Sequence, residues 1–385
     1  MSVNDTDNEN RPGFTPAGRS INATWSEWLD QRSGTIFIAP AVVLILVFSI
    51  FPTIASLAIA VSRVRLSGTG FTFRFVWFQN FAKQFVGNNQ IHFLGRFTEM
   101  SVIGWVLSLA AIFWALLWLY RSARQEFSVL GFIGRLIVAL LGVSIILILS
   151  GTALSGNAWG TLGTTLFYVL VGCGVQFVIG LGLAFLCSQQ IRGKNFFRVV
   201  FFIPLMITPL GVGYAFRMIA DVTKGPFAPL WKAVGLGDFA WSADPWAARV
   251  FIIVGDSWQW IPFIFIVMLA ALENVPRDHV EAAQVDGASS WQIFREITWP
   301  QVIPVAATVV LIRAIEAFKI VDLPNIMTSG GPGIATESMT LQSVFAWRSN
   351  DFGQSAAVAY LLLFVTVVIC SSFFNLVVLR HIRKG

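Results

Sequence analysis

Eight stretches of about 20 mostly apolar residues run through this chain, each long enough to cross a hydrocarbon layer of roughly 30 Å at about 1.5 Å per helical residue. They cover 36–61, 101–120, 136–154, 162–186, 199–219, 250–272, 302–321 and 356–378. Lipid offers no hydrogen bonds, so backbone groups in such runs must be paired within the chain, and the runs lack the period-two alternation of barrel strands. Composition agrees: 56% of the 385 residues are apolar, 12% are charged and the mean hydropathy is +0.72, where soluble domains are about half apolar and a quarter charged. A water-soluble enzyme, a nucleic-acid binder and a disordered protein are excluded. The expected fold is all-α, a polytopic transmembrane helical bundle of about eight spans.

Cys173, Cys187 and Cys370 lie in or beside apolar runs and outline no disulfide framework. His92, His279 and His381 stand far apart in no metal-ligand spacing, so no metal site is expected. The net charge of +6 reads as a topology signal, because basic residues gather in cytoplasmic segments. With both termini in the cytoplasm, the inner segments hold the larger share of Lys and Arg, although Arg63, Arg65, Arg74, Lys83 and Arg96 crowd one outer segment. Residues 1–35 then form a cytoplasmic tail, in which Trp25, Trp28 and Leu29 have the spacing of a short interfacial helix, a solvated tail being equally open. Residues 36–61 form the first core helix, and 62–156 an outer segment with an inserted transmembrane hairpin. Residues 157–385 make up the rest of the core.

The segment between the sixth and seventh runs, at about 273–300, carries helix punctuation. Asp278 can cap a helix start with Glu281 three residues on, and Pro276 suits that boundary. Ala282, Ala283 and Val285 interleave with Gln284 and Asp286, and Gly287 ends the helix. Trp291, Phe294 and Ile297 predict a second amphipathic segment that Pro300 closes. A helical pair at the membrane surface suits a soluble partner.

Glu281-Ala282-Ala283, three residues, Gly287, nine residues, then Ile297-Thr298-Trp299-Pro300 resembles the signature loop of the membrane subunits of ABC importers, with Trp299 replacing the usual Leu. In that family the loop is a coupling helix seated in a groove of a cytoplasmic ATPase subunit. The resemblance assigns that role to Glu281, Ala282, Ala283, Asp286 and Gly287. The stretch from Asp322 to Tyr360, with Gly330-Gly331-Pro332 and Thr336, resembles the outer loop and final helix of the maltose and glycerol-phosphate permease branch of carbohydrate importers. The likeness covers the first span and everything from about Trp159 onward, and fails between Ser62 and Gly156. It implies a second permease subunit, two ATPase subunits carrying ATP and Mg, an extracytoplasmic solute-binding protein, and a place among the lipids of a bacterial cytoplasmic (inner) membrane.

Charges at mid-bilayer cost about 2.5–3.5 kcal/mol each on insertion scales. Asp256 and Arg313 fall at similar depth on the sixth and seventh runs and are expected to pair, with Glu316 facing Arg313 or Lys319. The same groups, with Trp258, Gln259, Trp260 and Phe263, are candidates for a cavity that hydrogen-bonds sugar hydroxyls and stacks a ring face. An arginine there would favour an anionic sugar. Pro204 and Pro209, followed by Gly211 and Gly213, interrupt the fifth run.

No phosphate-binding G-x-x-x-x-G-K-[ST] loop is present, since Gly193-Lys194 is followed by Asn195, so ATP hydrolysis and its cofactors are expected on separate chains and none on this one. The expected function is the membrane-spanning subunit of an ATP-driven ABC importer for a carbohydrate, an anionic sugar or derivative included. The alternative is an ion-gradient-driven secondary transporter with Asp256, Glu316 and Lys319 as a relay. A membrane-embedded enzyme finds no nucleophile–base pair.

Overall fold

The computed structural model describes residues 37–67, 70–97, 99–125, 129–189 and 194–378. The tail expected at 1–35, with Trp25, Trp28 and Leu29, lies outside them. Among the described residues seven helices are long and apolar enough to cross a membrane, and a bent pair supplies an eighth span. In chain order these are Phe37–Ala60, Val102–Arg124, Gly131–Thr152, Thr161–Ser188, the pair Arg198–Met206 and Pro209–Ala220, Pro245–Glu273, Ser290–Phe318 and Phe352–Val377. They are called the first to eighth spans below.

The chain divides into a unit ending at Ser56, which holds most of the first span, and a unit from Leu57 onward. Proline shapes the first span. Pro52 cannot donate to the carbonyl one turn back, and the helix widens to a π turn over Leu46–Ile50 just before it. The same device recurs at Pro300, where a π turn over Phe294–Thr298 precedes the proline. The segment expected to close at Pro300 therefore runs on into the seventh span, because the wide turn absorbs both the missing donor and the ring.

The fifth span is interrupted as its prolines lead one to expect, and its two limbs meet at 101°. Pro209 starts the second limb at a position where its lost N–H costs nothing. Thr208 caps that limb, its hydroxyl accepting from Gly211 N–H at 3.3 Å. The break frees the Ile207 carbonyl, and Gln259 Nε2 on the sixth span donates to it at 2.8 Å.

The fourth span is the shared spine of the second unit. Leu166, Val169 and Cys173 pack with Ala317, Phe318 and Val358; Ala184 packs with Ile264, Met268 and Val302; Tyr168 packs with Val212, Ile252 and Leu323. Close approach to the sixth span needs Gly180, where an added Cβ would stand 2.8 Å from Ile264 Cγ2.

The second and third spans form the inserted hairpin. Ser108 and Ser150 share a hydrogen bond of 2.8 Å between them, and Gly104 lets the helices approach at that level. Ile148 of the third span enters the main apolar cluster, so the hairpin is packed onto the core. An antiparallel strand pair, Ser62–Ser67 with Gly70–Phe75, was not foreseen in the outer segment. Its signal is the alternation of basic and apolar residues in Arg63-Val64-Arg65-Leu66.

Gly180→Val should force the fourth and sixth spans apart, at about 1–3 kcal/mol for overpacking. Thermal unfolding of the purified protein should shift to lower temperature, and an unchanged transition would contradict the close packing.

Candidate functional site

Three spans meet at one buried polar cluster. The Arg313 guanidinium on the seventh span pairs through Nη2 with the Asp256 carboxylate on the sixth. Its Nε donates to Gln176 Oε1 on the fourth span at 2.6 Å, and Gln176 Nε2 donates to Asp256 Oδ2 at 2.8 Å, closing the ring. Arg313 also lies 4.8 Å from the centre of the Trp260 ring. Arg313, Asp256 and Gln176 are 1%, 6% and 0% exposed. Such a pair is tolerable away from water only with further hydrogen bonds, and Gln176 supplies one to each member.

The expected Asp256–Arg313 pair is present. Glu316 stands apart from it and pairs with Lys319 at 2.7 Å, both side chains partly exposed. Gln176 was missed by the sequence reading; its signal is an amide in the middle of an apolar run. Of the other cavity candidates, Trp260 and Phe263 are half-buried with ring centres 6.0 Å apart. Gln259 is buried, with its Nε2 engaged at Ile207 and its Oε1 lacking a partner. Trp258 is 40% exposed and packs on Phe216 instead.

The loop expected to couple begins with a helix at Arg277–Val285. Its N-cap is Pro276, without a side-chain cap, and Asp278 sits within the first turn. Asp278 was expected to be the cap; Pro276 already holds extended backbone there, so the carboxylate falls inside the helix, where it still favours the positive end of the dipole. The capping box belongs to the following helix, with Ser289 and Gln292 reciprocally bonded.

The helix end explains the motif spacing. Ala288 N–H reaches the Ala283 carbonyl at 2.9 Å and Gly287 N–H reaches the Gln284 carbonyl at 3.1 Å, with Gly287 at φ 81°. This double closure places a left-handed residue four positions after the carbonyl it covers, which fixes glycine four residues after Ala283. Glu281, Ala282, Asp286 and Gly287 are exposed and Ala283 half-buried, while Val285 and Trp291 show 88% and 67% of their surface. The loop is nonetheless tied to the helices. Phe294 meets Phe185 of the fourth span edge-on at 5.3 Å, Ile293 is buried, and Trp299 packs on the cluster built by the fourth, sixth and seventh spans.

After the seventh span, a turn from Ser329 to Thr336 wedges between the fourth and sixth spans. Thr336 bonds to Thr328 and to the Gly331 carbonyl, while Tyr168 donates to the Thr336 carbonyl at 3.1 Å.

Comparison with known proteins accords with this geometry. Residues 176–384, more than half the chain, match the family described as binding-protein-dependent transport system inner membrane component. The trehalose/maltose transport system permease protein MalF of Thermococcus litoralis is 28% identical over 210 residues, covering 54% of this chain and 71% of that one. The probable ABC transporter permease protein YurN of Bacillus subtilis is 30% identical over 213 residues, covering 54% and 73%. In fold, the chain is similar to a crystal structure of a bacterial ABC transporter involved in the import of the acidic polysaccharide alginate, with TM-score 0.62, 15% identity, and coverage of 92% of this chain and 98% of that one. Coverage of that extent takes in most of the 62–156 segment that the sequence resemblance leaves out. The chain belongs to the binding-protein-dependent transport system inner membrane components and is a membrane permease subunit of the ABC-importer class.

Replacing Gly287 with Val puts a β-branched residue in the left-handed region, which should unwind the helix end at a cost of about 1 kcal/mol or more. ATP-driven transport by the assembled importer should fall severalfold while the protein remains folded. Unaltered transport would detach the loop's geometry from its function.

Proposed function

We propose that this chain is one of two membrane subunits of an ATP-driven importer that carries a carbohydrate delivered by an extracytoplasmic solute-binding protein. Both termini lie in the cytoplasm in this reading. Two ATPase subunits, holding ATP and Mg, dock at the loop centred on Ala283. The observation that carries the proposal is the exposed 277–285 helix with its glycine-closed end, joined by the 286–289 turn to the segment whose Phe294 and Trp299 pack on the spans. Relatives named as trehalose/maltose and maltodextrin permeases support a saccharide cargo. A structural neighbour in complex with an alginate pentasaccharide-bound periplasmic protein supports the binding-protein partner.

When the ATPase pair closes on nucleotide, the loop helix moves with its groove. The helix is separated from the start of the seventh span by only four residues, so the displacement passes into a rod that carries Arg313 and, through it, Asp256 and Gln176. The spans then alternate between outward and inward access. In the passage, Trp260 and Phe263 supply ring faces, and the unpartnered Gln259 Oε1 supplies an acceptor for a hydroxyl. Asp256 and Arg313 hold the wall, and Glu316 with Lys319 lies nearer its edge. The ion-gradient alternative draws no support, because Asp256 is held by Arg313 and Gln176 while Glu316 pairs with Lys319.

The outer loop that starts at Asp221 is the proposed landing surface for the binding protein. The Asp221 carboxylate accepts from the backbone N–H groups of Lys224 and Thr223 and from the Thr223 hydroxyl, which holds its pKa below the ordinary carboxylate value. These bonds therefore stabilise the turn fully above the free-carboxylate value, and that stability is lost as the pH falls from there through the lowered pKa.

Cysteine placed at Ala283 should crosslink to an ATPase subunit in membranes, and mild-detergent purification should retain that subunit and a saccharide-binding protein. Absence of an ATPase from both would refute the reading.

A further inference from the structure

A guanidinium in no ion pair among the described residues is buried at the end of the sixth span farthest from the loop helix. Arg249 is 3% exposed, its Nε donates to the Ala335 carbonyl at 2.7 Å, and its Cζ lies 4.0 Å from the Trp159 ring centre and 5.4 Å from that of Trp246. Among the described residues no carboxylate pairs with it. Asp244, which acts on it electrostatically, has its Oδ1 engaged by Ala247 N–H at 2.7 Å.

Arg249 borders a cavity of about 600 Å³ whose wall also holds Trp159, Trp246, Arg96 and the turn from Pro332 to Ala335. That size falls in the range of about 300–1,000 Å³ common for small-ligand sites. Arg96 is exposed, and its side chain makes no hydrogen bond or ion pair among the described residues. The wall is stiff: Gly95 pairs with Trp159 across a β-bridge, and at Gly160 an added Cβ would stand 2.4 Å from the Phe93 carbonyl oxygen. Trp246 keeps 50% of its surface exposed.

The contrast with Arg313 decides what this cavity is for. The charge of Arg313 is answered by Asp256, so anion recognition does not fall to it. Arg249 touches a carbonyl and two ring faces and feels Asp244 only at a distance, and a buried cation so compensated gains from an arriving anion. We propose that this cavity is a receiving site for an acidic saccharide at the outer mouth of the importer, with Arg249 and Arg96 taking its carboxylate and Trp246 stacking on its sugar face. The proposal rests on the saccharide-import reading, and its test is a binding measurement independent of transport and of the ATPase contact.

The assembled importer, reconstituted in nanodiscs without binding protein or nucleotide, is titrated calorimetrically with trigalacturonate and with maltotriose. Trigalacturonate should bind; Arg249→Gln should weaken it about tenfold or more and Arg96→Gln about threefold, as expected for losing charge-assisted hydrogen bonds. Maltotriose should respond to neither change. Arg96 is exposed, so its variant decides the matter even where Arg249→Gln fails to fold. Equal trigalacturonate affinity in the parent and the foldable variants would overturn the proposal. So would absence of trigalacturonate binding with weakened capture of the solute-binding protein by the variants, which would give the cavity to a partner carboxylate.

Discussion

The ring of hydrogen bonds among Gln176, Asp256 and Arg313 is the constraint on which the rest of the membrane core depends. It places one polar group from each of the fourth, sixth and seventh spans at one buried point. Apolar packing between helices in lipid has little directional preference, whereas a buried ion pair with a shared amide fixes depth and rotation together. The apolar clusters around it can then be small and interlocked, with Gly180 setting the distance between the fourth and sixth spans.

The loop and the broken fifth span are intelligible from that fixed core. Because the π turn at Phe294–Thr298 carries the helix past Pro300, the seventh span reaches from the loop to Arg313 without interruption, about 35 Å along its axis for 23 residues at about 1.5 Å each. In the proposed coupling, a push at the loop would reach the polar ring along this one continuous helix. The fifth span bends away at Thr208–Pro209, and the sixth span compensates the exposed carbonyl through Gln259. The broken limb is thus hydrogen-bonded to the same helix that carries Asp256.

Much of this was legible in the sequence, for reasons that differ between elements. The number of spans follows from the length of the apolar runs, and the Asp256–Arg313 pair from matching depth and opposite charge. The loop was recognisable by its resemblance to the importer signature, and the structure gives the physical reason for its glycine spacing in the closure of the helix end. Gln176 was not read, since one amide in an apolar run has no partner visible in sequence until the helices are placed. The 101° bend was also hidden: two prolines signal a break, but its angle is set by Thr208 capping and by the Gln259 contact. The Ser289–Gln292 capping box was written in the chain and overlooked because Asp278, nearby, offered a plausible but incorrect cap. The outer strand pair was masked by the weight of the apolar composition, although its alternation is local and clear.

The central claim is that the polar ring locks three spans into one body, and a double-mutant cycle on the purified importer tests it most directly. Thermal or denaturant unfolding of Asp256→Asn, Arg313→Gln and the double variant should show each single change costing about 3–5 kcal/mol and the pair costing clearly less than their sum. Strictly additive losses would mean that the two charges do not act on one another, and the account of a locked core would fail.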